Sequence, residues 1–145
     1  MNNFKIHDLK IAPQYFEDVI SKSKAFELRK DDRPYSAGDT LYFLEYNAET
    51  GKYTGRSCFS KVDYILRDFP GLLPGYCIMS ISDCKVRVEP DYSYHRHMGS
   101  YKLYRNNHDG TSNKLEQHWD EEVIRKRCYE LNGWEYKPKK QRTYE

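Results

Sequence analysis

The chain has 145 residues, which is enough for one hydrophobic core of ordinary size and short for two independent cores. Its mean hydropathy is −0.98, and no apolar run approaches the roughly 20 residues of a membrane-spanning helix, which excludes a membrane protein. The net charge of +2 favours no class of partner by itself. Residues 84–145, however, hold thirteen of the 24 basic residues and only ten of the 22 acidic ones, a mildly basic balance compatible with a polyanion.

The N-terminus and the cysteines both indicate a protein that is not secreted. Residues 1–5 contain no apolar signal segment, so we expect a cytoplasmic location. The four cysteines include no Cys-x-x-Cys pair, and we expect free, mostly buried thiols without a zinc knuckle: Cys58, Cys77, Cys84 and Cys128.

The first part of the chain combines strand patterns with one short helix. A strand over 4–11 precedes Pro13, a residue favoured at the first helical position, and apolar residues at helical spacing predict a helix over 13–22. Further strands are predicted over 24–30, over 40–46, over 53–66 with Gly55 as a bulge, and over 76–81 with a continuation through Val86 and Val88.

The remainder of the chain differs in pattern. Strands over 92–97 and 101–105 flank Met98-Gly99-Ser100 and predict a hairpin. A helix is predicted over about 114–131, with Asn132-Gly133 as its stop signal, because four apolar residues share one side: Leu115, Trp119, Val123 and Leu131. The last ten or so residues lack apolar content and are expected to fray.

These elements predict the fold class. Five or six strands, two helices and no βαβ alternation indicate a small α+β domain or a partly open barrel. We assign residues 1–83 to this domain. Residues 84–145 form a C-terminal extension with a hairpin, a helix and a frayed basic end.

Residues 24–33 carry the densest pattern of opposite charges around apolar residues. Strand alternation places Phe26 and Leu28 on one face and Glu27 and Arg29 on the other. With the apolar face buried, the charged face would form the wall of a polar pocket. The alternative is a solvated strand face with an ion pair that contributes about 0–1 kcal/mol.

The order of several motifs resembles a bacterial and phage family of unknown function in the ASCH group of the PUA-like superfamily. The motifs lie within residues 5–82: His7-Asp-Leu-Lys-Ile11, Phe26-Glu-Leu-Arg-Lys30, Gly38-Asp39, Tyr53-Thr-Gly-Arg56, Val62-Asp-Tyr-Ile-Leu66 and Pro74-Gly-Tyr76. The resemblance implies a small bent β-barrel with a cleft lined by the Lys-x-x-Glu-x-Arg segment. Members of the superfamily bind RNA or modified nucleobases.

One ASCH branch resembles an amidohydrolase that removes the acyl group from N-acylated cytidine with a lysine, a threonine three residues later and a distant glutamate. Lys24 matches the lysine, but Glu27 stands at the threonine position, so the hydroxyl nucleophile is absent and we expect weak or no deacylation. Lys24 and Glu27 are the candidate catalytic residues if the chain is an enzyme. The family also has glycine where Lys22 stands, and lysine in the left-handed region costs about 1 kcal/mol, so a different helix end is expected.

Six residues are candidates for ligand binding: Lys24, Glu27, Arg29, Arg33, Arg56 and Tyr76. Arginine binds phosphate through two parallel hydrogen bonds, a carboxylate accepts from a cytosine amine, and tyrosine stacks on a base. The structural alternatives are an ion pair at a barrel end, an exposed arginine beside the Gly55 bulge, and a tyrosine of the core. No cofactor is required.

The extension contains three further patterns, each with an alternative. His95 and His97, with His108 or Cys84, have the residue types of a metal site, but the spacing favours an exposed hairpin face. Tyrosines and cations combine either as a binding face or as cross-strand packing: Tyr92, Tyr94, Tyr101, Tyr104, Arg96, Lys102 and Arg105. A basic end is either a nucleic-acid contact or a solvated face: Arg125, Lys126, Arg127, Lys137, Lys139, Lys140 and Arg142.

Three functions follow as hypotheses. The first is binding of RNA or a nucleotide-like ligand in the cleft. The second is an amidohydrolase for an N-acylated or otherwise modified nucleobase, which turnover would distinguish from binding. The third is a phage or mobile-element interaction module without chemistry, which an empty cleft would favour. The sequence specifies no oligomeric state.

Overall fold

A computed structural model describes residues 3–139 of the chain, which divides into two units, Met1–Val88 and Glu89–Glu145. The first unit contains β1 (Ile6–Ile11), α1 (Pro13–Ile20), β2 (Phe26–Lys30), β3 (Thr40–Asn47), β4 (Lys52–Leu66) and β5 (Tyr76–Val88). The second contains β6 (Tyr92–His97), β7 (Ser100–Asn106), β8 (Ser112–His118) and α2 (Glu121–Asn132). Within residues 3–139, no helix has the length and apolar content needed to cross a membrane.

The first unit is a curled, half-barrel sheet with one helix, as the α+β prediction requires. Its strand order is β1-β3-β4-β5-β2, and all neighbours are antiparallel except β1 and β3. Alternate residues of the strands point into a core that α1 covers with Phe16 and Val19, both almost fully buried. The sheet and α1 therefore enclose one hydrophobic core.

Two arginine side chains bridge the edges of this sheet. Arg29 of edge strand β2 donates from Nη2 to the carbonyl of Lys10 in edge strand β1, at 2.6 Å. Arg33 donates from Nη1 to the carbonyl of Asp8 at 2.8 Å. The backbone acceptors of an edge strand need partners, and here guanidinium groups provide them. The curl therefore brings β1 within side-chain reach of β2.

The alternation predicted for β2 is correct, but the buried face is the opposite one. Glu27 is only 5% exposed, whereas Phe26 and Leu28 are 47% and 50% exposed. The charged face can point inward because Lys24 and Arg29 both bind the Glu27 carboxylate, and a buried charge is tolerated when it is paired and hydrogen-bonded. The apolar residues of β2 consequently lie on the outer surface of the half-barrel.

The end of α1 contradicts the expectation of a different helix terminus. Lys22 has a φ of +66° and so occupies the left-handed region that favours glycine. The turn is held by hydrogen bonds from Lys22 N to Val19 O and from Lys24 N to Asp18 O. A lysine with an exposed side chain therefore fits the same turn at an energetic cost.

Replacement of Lys22 by glycine should stabilise the first unit. We expect Lys22→Gly to raise the free energy of unfolding by about 0.5–1 kcal/mol, because glycine removes the left-handed penalty while adding some freedom to the unfolded chain. Urea denaturation followed by circular dichroism measures the difference. Lys22→Ala keeps the Cβ and should bring no such gain; an equal gain in both variants would contradict this explanation.

The second unit corrects the helix predicted over 114–131. Ser112–His118 instead forms β8 and pairs with β7 in a sheet of order β6-β7-β8. The helix starts later, where Asp120 caps it by accepting a hydrogen bond from Glu122 N. Leu115 and Trp119, expected on the buried side of a helix, are 47% and 73% exposed. The Met98-Gly99 hairpin turn and the stop at Gly133 are confirmed.

The cysteine prediction holds for two residues and is wrong for two. Cys77 and Cys128 are free and buried, whereas Cys58 and Cys84 form a disulfide. Between the pairs Phe59–Lys85 and Lys61–Ser82, two residues of β5 stand opposite Ser60 alone. Cys84 lies in this bulge, next to Asp83 with its left-handed φ of +54°. A register irregularity thus joins two cysteines that are 26 residues apart in sequence.

Candidate functional site

The predicted charged cluster is assembled around the buried Glu27 carboxylate. Lys24 Nζ lies 3.0 Å from Glu27 Oε2, and Arg29 Nε lies 2.8 Å from Oε1. The Lys24 and Arg29 side chains keep 18% and 27% of their surface exposed, against 6% for Glu27. Both cations therefore reach solvent while sharing one buried anion, which leaves a net positive charge at the surface of the cluster.

Lys24 also lies between two aromatic rings. Its ammonium nitrogen is 5.2 Å from the ring centroid of Tyr15 in α1 and 5.6 Å from that of Phe26 in β2. A cation at this distance from an aromatic face is attracted by the ring quadrupole. Tyr15 and Phe26 are both about half exposed. Glu27 and the two rings therefore restrict the position of the ammonium group.

A cavity of about 300 Å³ opens beside Lys24. Its lining combines cationic, hydroxyl, carboxylate and apolar groups from α1, β4, β5 and the α1–β2 connection: Val19, Lys22, Lys24, Ala25, Ser60, Ile81, Ser82, Asp83 and Cys84. The β5 bulge shapes one wall, since it contributes both Asp83 and the disulfide-bonded Cys84. The cavity thus combines lysine residues with several hydrogen-bonding side chains, a lining suited to a small polar ligand.

Of the six predicted ligand-binding residues, Lys24 alone lines this cavity; Glu27 and Arg29 contact Lys24 or its partner behind the lining, and the other three lie elsewhere. Arg33 donates to the carbonyl of Asp8, as described above. Tyr76 pairs with Lys30 at the start of β5 and is 38% exposed. Arg56 belongs to a separate buried cluster. The structure thus brings together Lys24, Glu27 and Arg29, whereas the other three residues have different neighbours.

Arg56 forms a two-point ion pair with Glu45, which is 2% exposed. Its Nε lies 2.9 Å from Glu45 Oε1 and its Nη2 lies 2.6 Å from Oε2. The predicted bulge at Gly55 explains this arrangement, because Thr54, Gly55 and Arg56 stand opposite Glu45 alone between two regular pairs of β3 and β4. Thr54 Oγ1 donates to the same carboxylate, and Arg56 also contacts Glu17.

The electrostatics of this pair are those of a structural contact. Burial alone would raise the pKa of Glu45, but the hydrogen bonds from Arg56 and Thr54 lower it below its usual range. The hydrogen bond with Glu45 raises the pKa of Arg56 further, so both groups stay charged. The Arg56 guanidinium also lies 4.8 Å from the ring centroid of Phe16. Arg56 therefore anchors α1 and β4 to β3.

Asp39 is a third buried carboxylate, after Glu27 and Glu45, and it is not among the site residues predicted from the sequence. It accepts hydrogen bonds from the backbone N–H groups of Lys5 and Ser36 and lies 2.8 Å from His7 Nε2. Burial alone would raise the pKa of Asp39, yet these hydrogen bonds lower it. The Gly38-Asp39 motif was the available signal, but the contacts with His7 and Lys5 depend on the pairing of β1 with β3.

The histidines of the second unit have separate environments. His95 stacks on Tyr104, His97 Nδ1 lies 3.1 Å from Lys102 Nζ, and His108 lies between Glu89 and Asp91. Within residues 3–139, no group of three or more His, Cys, Asp or Glu side chains is arranged to hold a metal ion. The hydrogen bonds with Asp91 and Glu89 outweigh burial and raise the pKa of His108.

The predicted aromatic-basic face is divided between the two sides of the second sheet. Three of its tyrosines pack against the core beneath α2: Tyr92, Tyr94 and Tyr101. Tyr104 and Lys102 lie on the opposite side by strand alternation. In the basic end, Arg125 donates to Tyr94, Tyr129 and the Lys137 carbonyl, and Lys139 pairs with Glu121. Lys140 and Arg142 lie outside the described residues.

The curled mixed sheet and its buried charged cluster define the first unit as a small α+β domain of the half-barrel type. Residues 6–81 match the family described as a domain of unknown function, DUF3850, and the chain belongs to this family. The chain is also similar to an uncharacterised 12.9 kDa protein in the GpA 3′ region of Escherichia phage P2, with 40% identity over 58 residues. That match covers 40% of this chain and 51% of the phage protein, so the chain spans about half the length of this relative.

Proposed function

We propose that the first unit binds a nucleotide, free or as part of a single-stranded RNA, in the cavity beside Lys24. The observation that carries this proposal is the position of Lys24: the residue lines the cavity, and its ammonium group is held by the buried Glu27 next to it. A cation held in this way is suited to a phosphate, because little side-chain freedom is lost on binding.

The other lining groups match the remaining parts of a nucleotide. The Asp83 carboxylate is suited to accept from an exocyclic amine or a ribose hydroxyl, and the hydroxyls of Ser60 and Ser82 can donate or accept. Tyr15 and Phe26 present half-exposed rings next to Lys24, on which a base can stack. A volume of about 300 Å³ is at the lower end of ligand pockets and favours a ligand the size of a single nucleoside.

Glu27 and Arg29 have a supporting role in this proposal. Glu27 faces two cations and is almost completely buried, so it orients Lys24 instead of contacting the ligand. Arg29 binds both Glu27 and the Lys10 carbonyl, which ties the cluster to β1. The resemblance of the Lys-x-x-Glu-x-Arg segment to the ASCH domains of the PUA-like superfamily supports the same assignment, since members of that superfamily bind RNA or modified nucleobases.

Titration calorimetry with cytidine 5′-monophosphate and with cytidine tests the proposal. We expect the monophosphate to bind more tightly than the nucleoside, and Lys24→Ala to weaken it at least about tenfold, since a hydrogen bond to a charged group contributes about 1.5–3 kcal/mol. Lys52→Ala removes an exposed lysine of β4 and is the matched control. If neither compound binds, or if both variants bind as the wild type does, the proposal fails.

The amidohydrolase is the alternative for the same residues. Lys24 donates a hydrogen bond to Glu27, and Glu27 occupies the position where the hydrolase has its threonine. A lysine that donates from its ammonium form binds an anion instead of accepting a proton from water. Incubation with N4-acetylcytidine, with cytidine release followed by chromatography, should therefore give weak or no turnover. Hydrolysis that disappears in Lys24→Ala would favour the enzyme over the binding function.

The interaction module without chemistry is the third hypothesis. Phe26, Leu28 and Tyr64 are exposed on β2 and β4, and the partners Phe26–Ser80 and Ser80–Tyr64 place two of them in one row across the sheet. Calorimetry that shows no nucleotide binding would favour an interaction module as the function of the first unit.

A further inference from the structure

The side of the second sheet that faces away from α2 has a distinctive composition. Strand alternation and pairing assign ten residues to this side, here called the open face: Ser93, His95, His97, Ser100, Lys102, Tyr104, Asn106, Ser112, Lys114 and Gln117. The assignment is consistent with burial, because the intervening Leu103 of β7 packs with Ile124 and Cys128 of α2. The open face is therefore the side of the sheet without a helix.

The open face carries cations and no anions. Lys102 and Lys114 lie on neighbouring strands, and none of its ten positions is Asp or Glu. Carboxylates of the same unit are paired with cations near α2 instead: Glu116 with Arg127 and Glu121 with Lys139. The charged residues of the open face are therefore all cationic, although the whole chain carries a net charge of only +2.

Aromatic rings lie among these cations. The rings of His95 and Tyr104 are stacked at 4.6 Å with an interplanar angle of 9°. Trp119 continues the row of Gln117 just beyond β8, and its indole edge lies 3.7 Å from the position that a Cβ at Gly99 would take. Trp119 is 73% exposed, a high value for the largest apolar side chain. An exposed indole at the hairpin turn therefore extends the aromatic row.

We propose that the open face is a binding site for single-stranded nucleic acid, separate from the cavity beside Lys24. The lysines complement the phosphate backbone, and the exposed ring of Trp119, together with the partly exposed ring of Tyr104, provides a stacking surface for unpaired bases. A duplex fits this face less well, because its bases are already stacked and paired. An acidic protein would use the lysines but would not require the exposed rings.

Titration of fluorescein-labelled oligomers measures this binding. The probes are twelve-nucleotide oligouridylate, oligothymidylate and a duplex of the same length, each at several salt concentrations. We expect both single strands to bind more tightly than the duplex, and the comparison of the two separates RNA from DNA as the preferred ligand. Lys102→Gln combined with Lys114→Gln should reduce the salt slope by about 1.4, since each contact with a single strand contributes about 0.7.

Matched variants distinguish binding by the lysines of the open face from attraction to the overall positive charge of the protein. Lys126→Gln combined with Lys137→Gln removes the same charge from exposed positions off the open face and should leave the slope nearly unchanged. Trp119→Ala should weaken single-strand binding about fivefold or more at every salt concentration, because stacking is not screened. Trp134→Ala is its control, since Trp134 packs edge-on against Tyr129.

A direct spectroscopic readout requires no substitution on the open face. The chain contains two tryptophans, so Trp134→Phe leaves Trp119 as the single reporter. Stacking of a base on Trp119 should quench its fluorescence with the same midpoint as the labelled-oligomer titration. The proposal is overturned if no single strand binds at low salt, if duplex binds equally well, if both lysine pairs behave alike, or if Trp119 emission does not change.

Discussion

Arg56→Met should lower the free energy of unfolding of the first unit by about 3 kcal/mol, the lower end of the range for breaking a buried ion pair from one side. The variant leaves the Glu45 carboxylate, 2% exposed, with Thr54 as its remaining side-chain donor. Methionine preserves much of the packing against Phe16, so the loss reports the unpaired charge. The lower end of the range for a buried ion pair applies because a third of the Arg56 side chain is exposed and remains partly solvated.

The pH dependence of this loss identifies its cause. Without Arg56, burial raises the pKa of Glu45, so the penalty for its charged form is full at neutral pH and is relieved as the pH falls. The difference in the free energy of unfolding between wild type and Arg56→Met should therefore shrink as the pH falls from about 7 to about 5. Adding Glu45→Gln to Arg56→Met should recover part of the loss at neutral pH, because it removes the unpaired charge.

Urea denaturation followed by circular dichroism is the measurement, since both tryptophans lie in the second unit. Arg87→Met is the control: it removes an exposed arginine of β5 and should cost less than about 1 kcal/mol. Equal losses in Arg56→Met and Arg87→Met, or a loss that does not change with pH, would refute the buried-charge explanation.

The strands of the first unit could be predicted from local pattern because each element carries its own signal. Pro13 marks the start of α1, alternation marks β3, and Val86 and Val88 mark the continuation of β5 beyond its apolar run. Alternation in β2 gives two faces but does not decide which face is buried. That choice depends on Lys24 and Arg29 meeting Glu27, which is a tertiary contact.

The segment that became β8 illustrates the limit of helical periodicity. Leu115, Trp119 and Val123 have helical spacing, yet Leu115 lies in a strand and Trp119 follows it. Pairing with β7 supplies backbone partners that local sequence does not reveal, and it overrides the apolar spacing. The Asp120 cap marks the start of α2. The helical spacing of apolar residues begins before Asp120 and continues after it, so this spacing alone places the start of the helix too early.

The charged cluster could be predicted because its three members are close in sequence. Lys24, Glu27 and Arg29 lie within six positions, so one strand and the turn before it bring them together. Glu45, His7 and Asp39 could not be assigned in this way, because their partners come from other strands. The cavity itself depends on the β5 bulge at Asp83 and Cys84, a register shift between β4 and β5 without a glycine to mark it.

Asp39→Asn should also destabilise the first unit strongly, by about 2–3 kcal/mol, because hydrogen bonds to a charged acceptor contribute about 1.5–3 kcal/mol each and the amide can replace only some of them. The carboxylate is 1% exposed and holds the start of β3 to β1 through Lys5 N, Ser36 N and His7. In asparagine one oxygen becomes an NH₂ group, which faces a donor. Asp63→Asn changes an exposed carboxylate of β4 and should have little effect.

The pH window separates this prediction from the one for Arg56. The pKa of Asp39 is lowered in the folded state relative to its ordinary value of 3.8, so its contribution to stability is present above that value and is lost as the pH falls below it. The difference between wild type and Asp39→Asn should therefore persist at about pH 5 and shrink towards about pH 3. Urea denaturation of both proteins at these two pH values measures this difference in the free energy of unfolding. A difference that disappears already at pH 5 would mean that the Asp39 carboxylate is not held in its charged form by Lys5, Ser36 and His7.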